Sequence, residues 1–261
     1  MSATSNPDLN ARCDLLRSLH RPGDPLLLPN VWDVATARAV VAAGFPVVAT
    51  TSWGVAASLG YEDDEGAPGD EMFDAAARIS RGVSVPVSID AEAGYGLPPA
   101  EIVAALREMG AAGCNLEDTN HLERNLVDSA RQAERLSAVR RAADENDYRL
   151  VVNARVDVFL EPFIAGAEPG TQIGLVEEAL DRANAYLDAG ADCVYPIALW
   201  EPDALDRFMT GVRGPVNLAR LPDAQKPSEL AALGAARVSW AIFMHVDAMT
   251  RFGEQLATLR D

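Results

Sequence analysis

The sequence predicts an α/β fold, a closed (β/α)8 barrel of the TIM type formed by residues 1–261 as a single domain with a leading N-terminal helix. Three observations predict it. Short apolar, often β-branched runs alternate with longer Ala-rich amphipathic stretches, which is the pattern of β-α units laid on a parallel sheet. Eight such units can be counted along the chain. Glycines stand where helices must stop before the next strand, at Gly44, Gly110, Gly190 and Gly234. A doubly wound open sheet usually carries a glycine-rich first βα turn, and Pro29-Asn30-Val31-Trp32-Asp33 does not supply one.

The elements follow in order. A leading helix is expected over 8–20, then strands at 26–29, 47–51, 85–89, 113–116, 150–154, 193–197, 215–218 and 238–240. Helices are expected near 33–43, 70–82, 98–110, 126–145, 172–189, 202–211, 227–234 and 241–258. The stretch 159–171, with Pro162, Gly166, Pro169 and Gly170, reads as an irregular loop on the top face, not as a domain boundary.

Composition narrows the function. With 22 Lys+Arg against 39 Asp+Glu the net charge is −17, which opposes binding to nucleic acid and to anionic membrane surfaces. An anionic substrate is still accessible, because a bound metal and a few placed arginines set the local field. The N-terminus carries no basic-then-apolar signal, and no run reaches the roughly 18 apolar residues that span a bilayer. Cys13, Cys114 and Cys193 are too scattered for a disulfide framework or a zinc site. A soluble, unprocessed cytoplasmic protein acting on a small molecule is the expectation.

The chemistry concentrates at strand ends. Asp90 and Glu92 are spaced i, i+2 at the end of the third strand, so in extended backbone both carboxylates would converge on one spot. Paired like charges need a cation or a shared proton, and hard oxygen donors suit Mg²⁺ or Mn²⁺. A second run ends in Glu117 and Asp118, and a third acidic set at 62–65 follows the second strand. In a parallel barrel all these strand ends share the face that carries the site.

Taken together these residues resemble the isocitrate lyase/phosphoenolpyruvate mutase superfamily. Asp90-Ala91-Glu92-Ala93-Gly94-Tyr95-Gly96 resembles its D-x-D-x-G-Y-G motif, with Glu92 one methylene, about 1.5 Å, longer than the usual Asp. Leu28-Pro29-Asn30-Val31-Trp32-Asp33, Thr51-Ser52-Trp53-Gly54 with 58–63, Asn115-Leu116-Glu117-Asp118 and Asn153-Ala154-Arg155-Val156-Asp157 match further motifs in the same order.

The resemblance implies Mg²⁺-dependent cleavage or formation of a bond next to the carbonyl of a 2-oxo acid through an enolate. It also implies a homodimer or homotetramer in which the last helix is exchanged between subunits. By motif, Asp90, Glu92, Glu117 and Asp63 would hold the metal and its waters. The N–H groups and hydroxyls of Thr51 and Ser52, with Trp53, Gly54, Tyr95 and Asn217, would line or bind the substrate, and Arg155 would meet its carboxylate or oxyanion. A buried ion pair of Arg155 with Asp157 or Glu117 is the structural alternative.

The loop after strand four lacks the K-[KR]-C-G-H of the family's lyases, which argues against isocitrate and methylisocitrate as substrates. His121 is the loop residue that could act as acid or base near neutral pH, with Asn120 beside it. The favoured reaction is lyase cleavage of a small 2-oxo or 2-hydroxy carboxylate, oxaloacetate decarboxylase-like or methylisocitrate lyase-like. A phosphoenolpyruvate mutase or phosphonopyruvate hydrolase is the alternative, and a silent ligand-binding barrel is the reading from another class.

Overall fold

A computed structural model of the chain describes residues 7–168, 170–222 and 224–260. Its strands are β1 (Leu26–Leu28), β2 (Asn30–Val31), β3 (Val48–Thr50), β4 (Val87–Asp90), β5 (Gly113–Leu116), β6 (Thr119–Asn120), β7 (Asn125–Leu126), β8 (Val151–Val156), β9 (Cys193–Pro196), β10 (Asn217–Ala219) and β11 (Arg237–Ser239). Its helices are α1 (Pro7–Ser18), α2 (Val34–Ala42), α3 (Ser52–Leu59), α4 (Gly69–Gly82), α5 (Pro99–Met109), α6 (Ser129–Glu145), α7 (Leu160–Ile164), α8 (Val176–Asp188), α9 (Pro202–Gly211), α10 (Pro227–Ala232) and α11 (Phe243–Ala257).

The parallel strands close on themselves. One arc runs β2-β3-β4-β5-β8-β9 and the other β1-β11-β10, and a parallel bridge from Val194 to Val216 joins them. β1 and β2 are two halves of the first barrel strand, split at Pro29, which has no N–H to give to a ladder. β1 pairs with β11 and β2 with β3, so this strand closes the ring of eight. The fold class expected from the eight β-α units is the one found.

Helix signals act as read. Asp33 caps α2, accepting the Thr36 N–H at 2.7 Å while Thr36 returns a bond to the cap. Gly110 closes α5 in the left-handed conformation. The outer core lies between strands and helices, where Ile79, Ile102, Leu106, Val139, Tyr186 and Phe208 are fully buried. α1 covers the N-terminal end of the barrel with Leu9, Cys13 and Leu16. There Arg17 donates to Asp192 at 2.8 Å and to the Leu150 carbonyl at 3.1 Å, and Arg140 reaches the same carboxylate at 2.6 Å. His20 ends the leading helix against the Leu16 carbonyl at 2.8 Å, and His245 packs edge-on to Trp32 at 4.9 Å.

Three elements differ from the sequence expectation. Residues 52–59, to which the sequence pattern assigns no element, form α3, whose short run Val55-Ala56-Ala57 is too brief to show a helical period. The loop after β5 is pinned as an antiparallel hairpin of β6 and β7, and 159–171 contains α7. Short elements carry too few residues for periodicity to register.

Gly113 opens β5 where a Cβ would sit 2.7 Å from Leu16 and 2.8 Å from the Val151 carbonyl oxygen, which is backbone and cannot yield. Gly113→Ala is therefore expected to lower unfolding stability by about 1–3 kcal/mol, read as a lower urea midpoint with unchanged slope.

Candidate active site

The C-terminal ends of the strands surround a cavity of about 320 Å³. Its polar side is made by Asn30, Thr51, Ser52, Asp63, Asp90, Asn115 and Arg155, and its apolar side by Trp53, Leu160, Phe163, Ile164, Ile197 and Ile242. β3 delivers the chain into α3, whose N-terminus points at the acids. The Thr51 N–H is taken by the Val31 carbonyl at 3.0 Å and the Ser52 N–H by Asp90 Oδ2 at 3.2 Å. The backbone donors expected to meet the substrate at these two residues are therefore committed, and their hydroxyls are what the cavity receives. Gly54 serves packing: a Cβ there would lie 2.8 Å from Trp32 Cβ.

The four acids fall into two pairs. Asp90 and Asp63 line the cavity. Asp90 is held by Ser52, by Asn115 Nδ2 at 3.4 Å and through its own N–H to Thr50 Oγ1 at 2.8 Å. Asp63 keeps one buried oxygen, Oδ1, without a partner. Burial, reinforced by the nearby Asp90 charge, pushes its carboxyl up to about 6.

Glu92 and Glu117 do not line the cavity. The i, i+2 argument fails for Glu92 because β4 ends at Asp90 and the chain turns: Glu92 has φ +46°, Gly94 +87° and Tyr95 +53°. Its carboxylate accepts the Glu65 N–H at 2.5 Å and the Tyr95 hydroxyl, while Glu65 Oε1 accepts the Tyr95 N–H at 2.5 Å. This clasp ties the loop after β4 to the loop before α4, and burial pushes Glu92 up to about 7. Tyr95 stacks edge-on against Phe73 at 5.2 Å and faces this clasp, away from the cavity.

Arg155 extends from β8 into a nest of charge. Its Nε and Nη2 donate to Asp157 at 2.5 and 3.1 Å, and Nη1 pairs with Glu117. The guanidinium thus has the expected structural partners and also lines the cavity. Glu117 is pushed well above the usual carboxylate range by burial. His121 is tucked in, not solvent-exposed: its Nε2 lies 3.0 Å from Glu117 Oε2 and its Nδ1 3.7 Å from Asp64 Oδ1. Asn120 turns away, its side-chain oxygen accepting the Glu123 N–H at 3.2 Å. Asn217 lies deeper in the barrel, accepting from Ser239 Oγ at 3.2 Å.

Sequence reasoning did not single out Asn30, Asn115, Tyr195, Ser239, the apolar wall of α7 or Arg237. Arg237 is buried in the barrel interior, donating to Ser88 Oγ at 3.4 Å and Asn115 Oδ1 at 3.3 Å. Its signal was available, since an arginine inside the apolar run 235–240 is anomalous for an outward-facing strand position.

Among the described residues no three His, Cys, Asp or Glu side chains converge as a ready-made metal cage. The open oxygen of Asp63 beside Asp90 nevertheless fits a hard divalent ion that keeps most of its waters and takes one or two carboxylates, as Mg²⁺ does.

The phosphoenolpyruvate phosphomutase family model matches residues 16–260. A protein of Burkholderia cenocepacia of known crystal structure is 37% identical with a TM-score of 0.88, covering 95% of this chain and 100% of its own. A probable 2-methylisocitrate lyase of Corynebacterium glutamicum is 31% identical over 78% of this chain and 65% of its own length. The structure of a 2,3-dimethylmalate lyase superposes with a TM-score of 0.81 at 25% identity, over 96% of this chain and 85% of that one. With the barrel and the family model in agreement, the chain belongs to the phosphoenolpyruvate phosphomutase family, in the isocitrate lyase/phosphoenolpyruvate mutase superfamily of enzymes.

Proposed function

We propose that the protein is a Mg²⁺-dependent lyase that cleaves the carbon–carbon bond next to the carbonyl of a small 2-oxo or 2-hydroxy carboxylate, leaving an enolate. The observation that carries this reading is one small cavity holding Asp63 with an unpartnered oxygen, Asp90, the N-terminus of α3 and the Arg155 guanidinium. The lyase relatives named above support carbon–carbon chemistry.

Asp63 and Asp90 would hold the ion, with Mn²⁺ as a substitute, and when bound it supplies Lewis-acid polarisation of the substrate oxygens. Arg155 places fixed positive charge where the oxyanion grows, already oriented by Asp157 and Glu117. Leu160, Phe163, Ile164 and Ile242 give the cavity an apolar side against which the carbon skeleton of the substrate would lie. His121, hydrogen-bonded to Glu117, is the imidazole that the hairpin brings to this side of the site. A carbon–phosphorus substrate would call for several cations around its phosphoryl group, and Arg155 is the one cationic side chain among the described lining residues.

The apolar row Val246, Met249, Phe252 and Leu256 on α11 is 41–55% exposed, which supports a homodimer or homotetramer with this helix packed on a neighbour. Phe252→Glu combined with Leu256→Glu should then lower the mass measured by light scattering.

Turnover is expected for one of oxaloacetate, dimethylmalate, 2-methylisocitrate, isocitrate or phosphonopyruvate, with release of a 2-oxo acid that EDTA abolishes. Phosphate release would instead favour the mutase or hydrolase chemistry. Asp90→Ala should lose both activity and Mg²⁺ dependence with an unchanged circular dichroism spectrum, and Arg155→Lys should lower kcat/KM by about 10²–10³.

Protons and Mg²⁺ compete for Asp63, so Mg²⁺ affinity should weaken as pH falls through about 6. The metal-free protein should show the opposite sign. Between the ordinary Asp range and about 6 the native state holds a proton that the unfolded chain has released, so stability falls as pH rises through that window. Calorimetric titration and thermal melts across pH 4–8 (about two units either side of that value) check both.

A further inference from the structure

The side of the cavity formed by β9 holds a group that the reading above does not use. Tyr195 is 3% exposed, yet its ring lines the cavity and its hydroxyl has no hydrogen-bond partner. Ser239 is close but not in hydrogen-bonding geometry, and its own hydroxyl donates to Asn217 Oδ1 at 3.2 Å. A buried phenol normally finds a partner, because leaving its O–H unpaired costs free energy. The partner is then sought in what fills the cavity.

The register narrows the choice. In the β8–β9 ladder Arg155 pairs with Tyr195, and residues paired across parallel strands leave the sheet on the same face at the same height. Both side chains therefore enter the cavity together. The guanidinium gives Nε, Nη1 and Nη2 to Asp157 and Glu117 and keeps N–H groups to spare, so the phenol is an unpartnered donor beside an oriented cation. Burial pushes that phenol up to about 12, so it keeps its proton at neutral pH. A neutral donor next to a guanidinium suits a carboxylate. It adds a hydrogen bond without adding net charge.

We propose that the Tyr195 hydroxyl donates a hydrogen bond to the carboxylate of the bound substrate, side by side with Arg155. This rests on the lyase reading for the identity of the ligand, and it adds a substrate-contacting residue that the motifs do not contain. The apolar side of the cavity then takes the remainder of the molecule.

The test uses the full-length protein with Mg²⁺ and oxalate as the probe, titrated calorimetrically against the unaltered protein, Tyr195→Phe and Asp90→Asn. Tyr195→Phe deletes only the hydroxyl and keeps the ring in place. It should weaken oxalate binding about tenfold to a hundredfold, the range for one hydrogen bond to a charged group, with a melting temperature equal to or above that of the unaltered protein. With the substrate found by turnover, KM should rise by the same factor while kcat holds, a split that a loosened barrel would not give. Oxalate affinity unchanged by Tyr195→Phe, with Asp90→Asn weakened, overturns the role of Tyr195 and leaves the lyase reading standing. No oxalate binding by the unaltered protein in the presence of Mg²⁺ overturns the lyase reading of the cavity, and this assignment with it.

Discussion

The mouth of this barrel depends on one buried arginine placed among acids. Asp63, Asp90, Glu92, Glu117 and Asp157 come from four different strand ends or loops, and Arg155 is the guanidinium that touches two of them. Taking carboxylates out of water is costly, and the cost is offset only where geometry is good and the remaining lone pairs are met. Asp157 shows the condition satisfied: one oxygen takes Arg155 Nε at 2.5 Å and the other takes Thr119 Oγ1 at 2.5 Å. At Asp63 and Glu92 burial dominates, as it does at Glu117 in spite of Arg155, and the carboxyls are held toward the protonated form.

That arrangement is braced from outside the barrel. Asp118 accepts the Asp157 N–H at 2.9 Å with one oxygen, and with the other it accepts Arg182 Nη1 at 3.1 Å and the Tyr186 hydroxyl at 2.7 Å. α8 is thereby keyed to the strand that carries Arg155. The hairpin of β6 and β7 is keyed to the same centre through Thr119 and His121. From inside, Asn153 Nδ2 donates to Asn115 Oδ1 at 2.8 Å and Asn115 Nδ2 reaches Asp90. These bonds form a chain from Asn153 through Asn115 to the acid on the cavity wall. Such chains hold a site in a single geometry because any member left unpaired is costly.

The barrel was legible because strand and helix periods repeat eight times, and because glycines mark the stops. Asp90, Asp63, Arg155, Thr51, Ser52 and Trp53 were legible as cavity residues because each stands at or after a strand end, where a parallel barrel gathers its loops. Glu92 and Tyr95 were misplaced together. Both have positive φ in the turn after β4: the two-residue period that placed Glu92 cannot be carried past the last extended residue, and the motif that placed Tyr95 does not say which way its ring turns. Tyr195 was hidden differently: in an apolar run it reads as ordinary core, and only the register between strands reveals that it points inward. The short helices α3 and α7 stayed unread because a helix of about two turns or fewer leaves almost no periodic trace.

The division of the first strand at Pro29 has a consequence for how the barrel breathes. β1 spends its hydrogen bonds on β11 and β2 spends its own on β3, with no amide proton between them. The ring therefore contains one point at which its two ladders meet without sharing a bond. Asn30, just past that point, bridges the gap with its side chain, giving Nδ2 to the Thr50 carbonyl at 2.9 Å and taking the Trp240 N–H at 2.8 Å on Oδ1. A single carboxamide thus acts as the staple of the seam. Amide exchange on the two sides of Pro29 would report on separate opening events, one belonging to the closing strands and one to the arc that bears the acids.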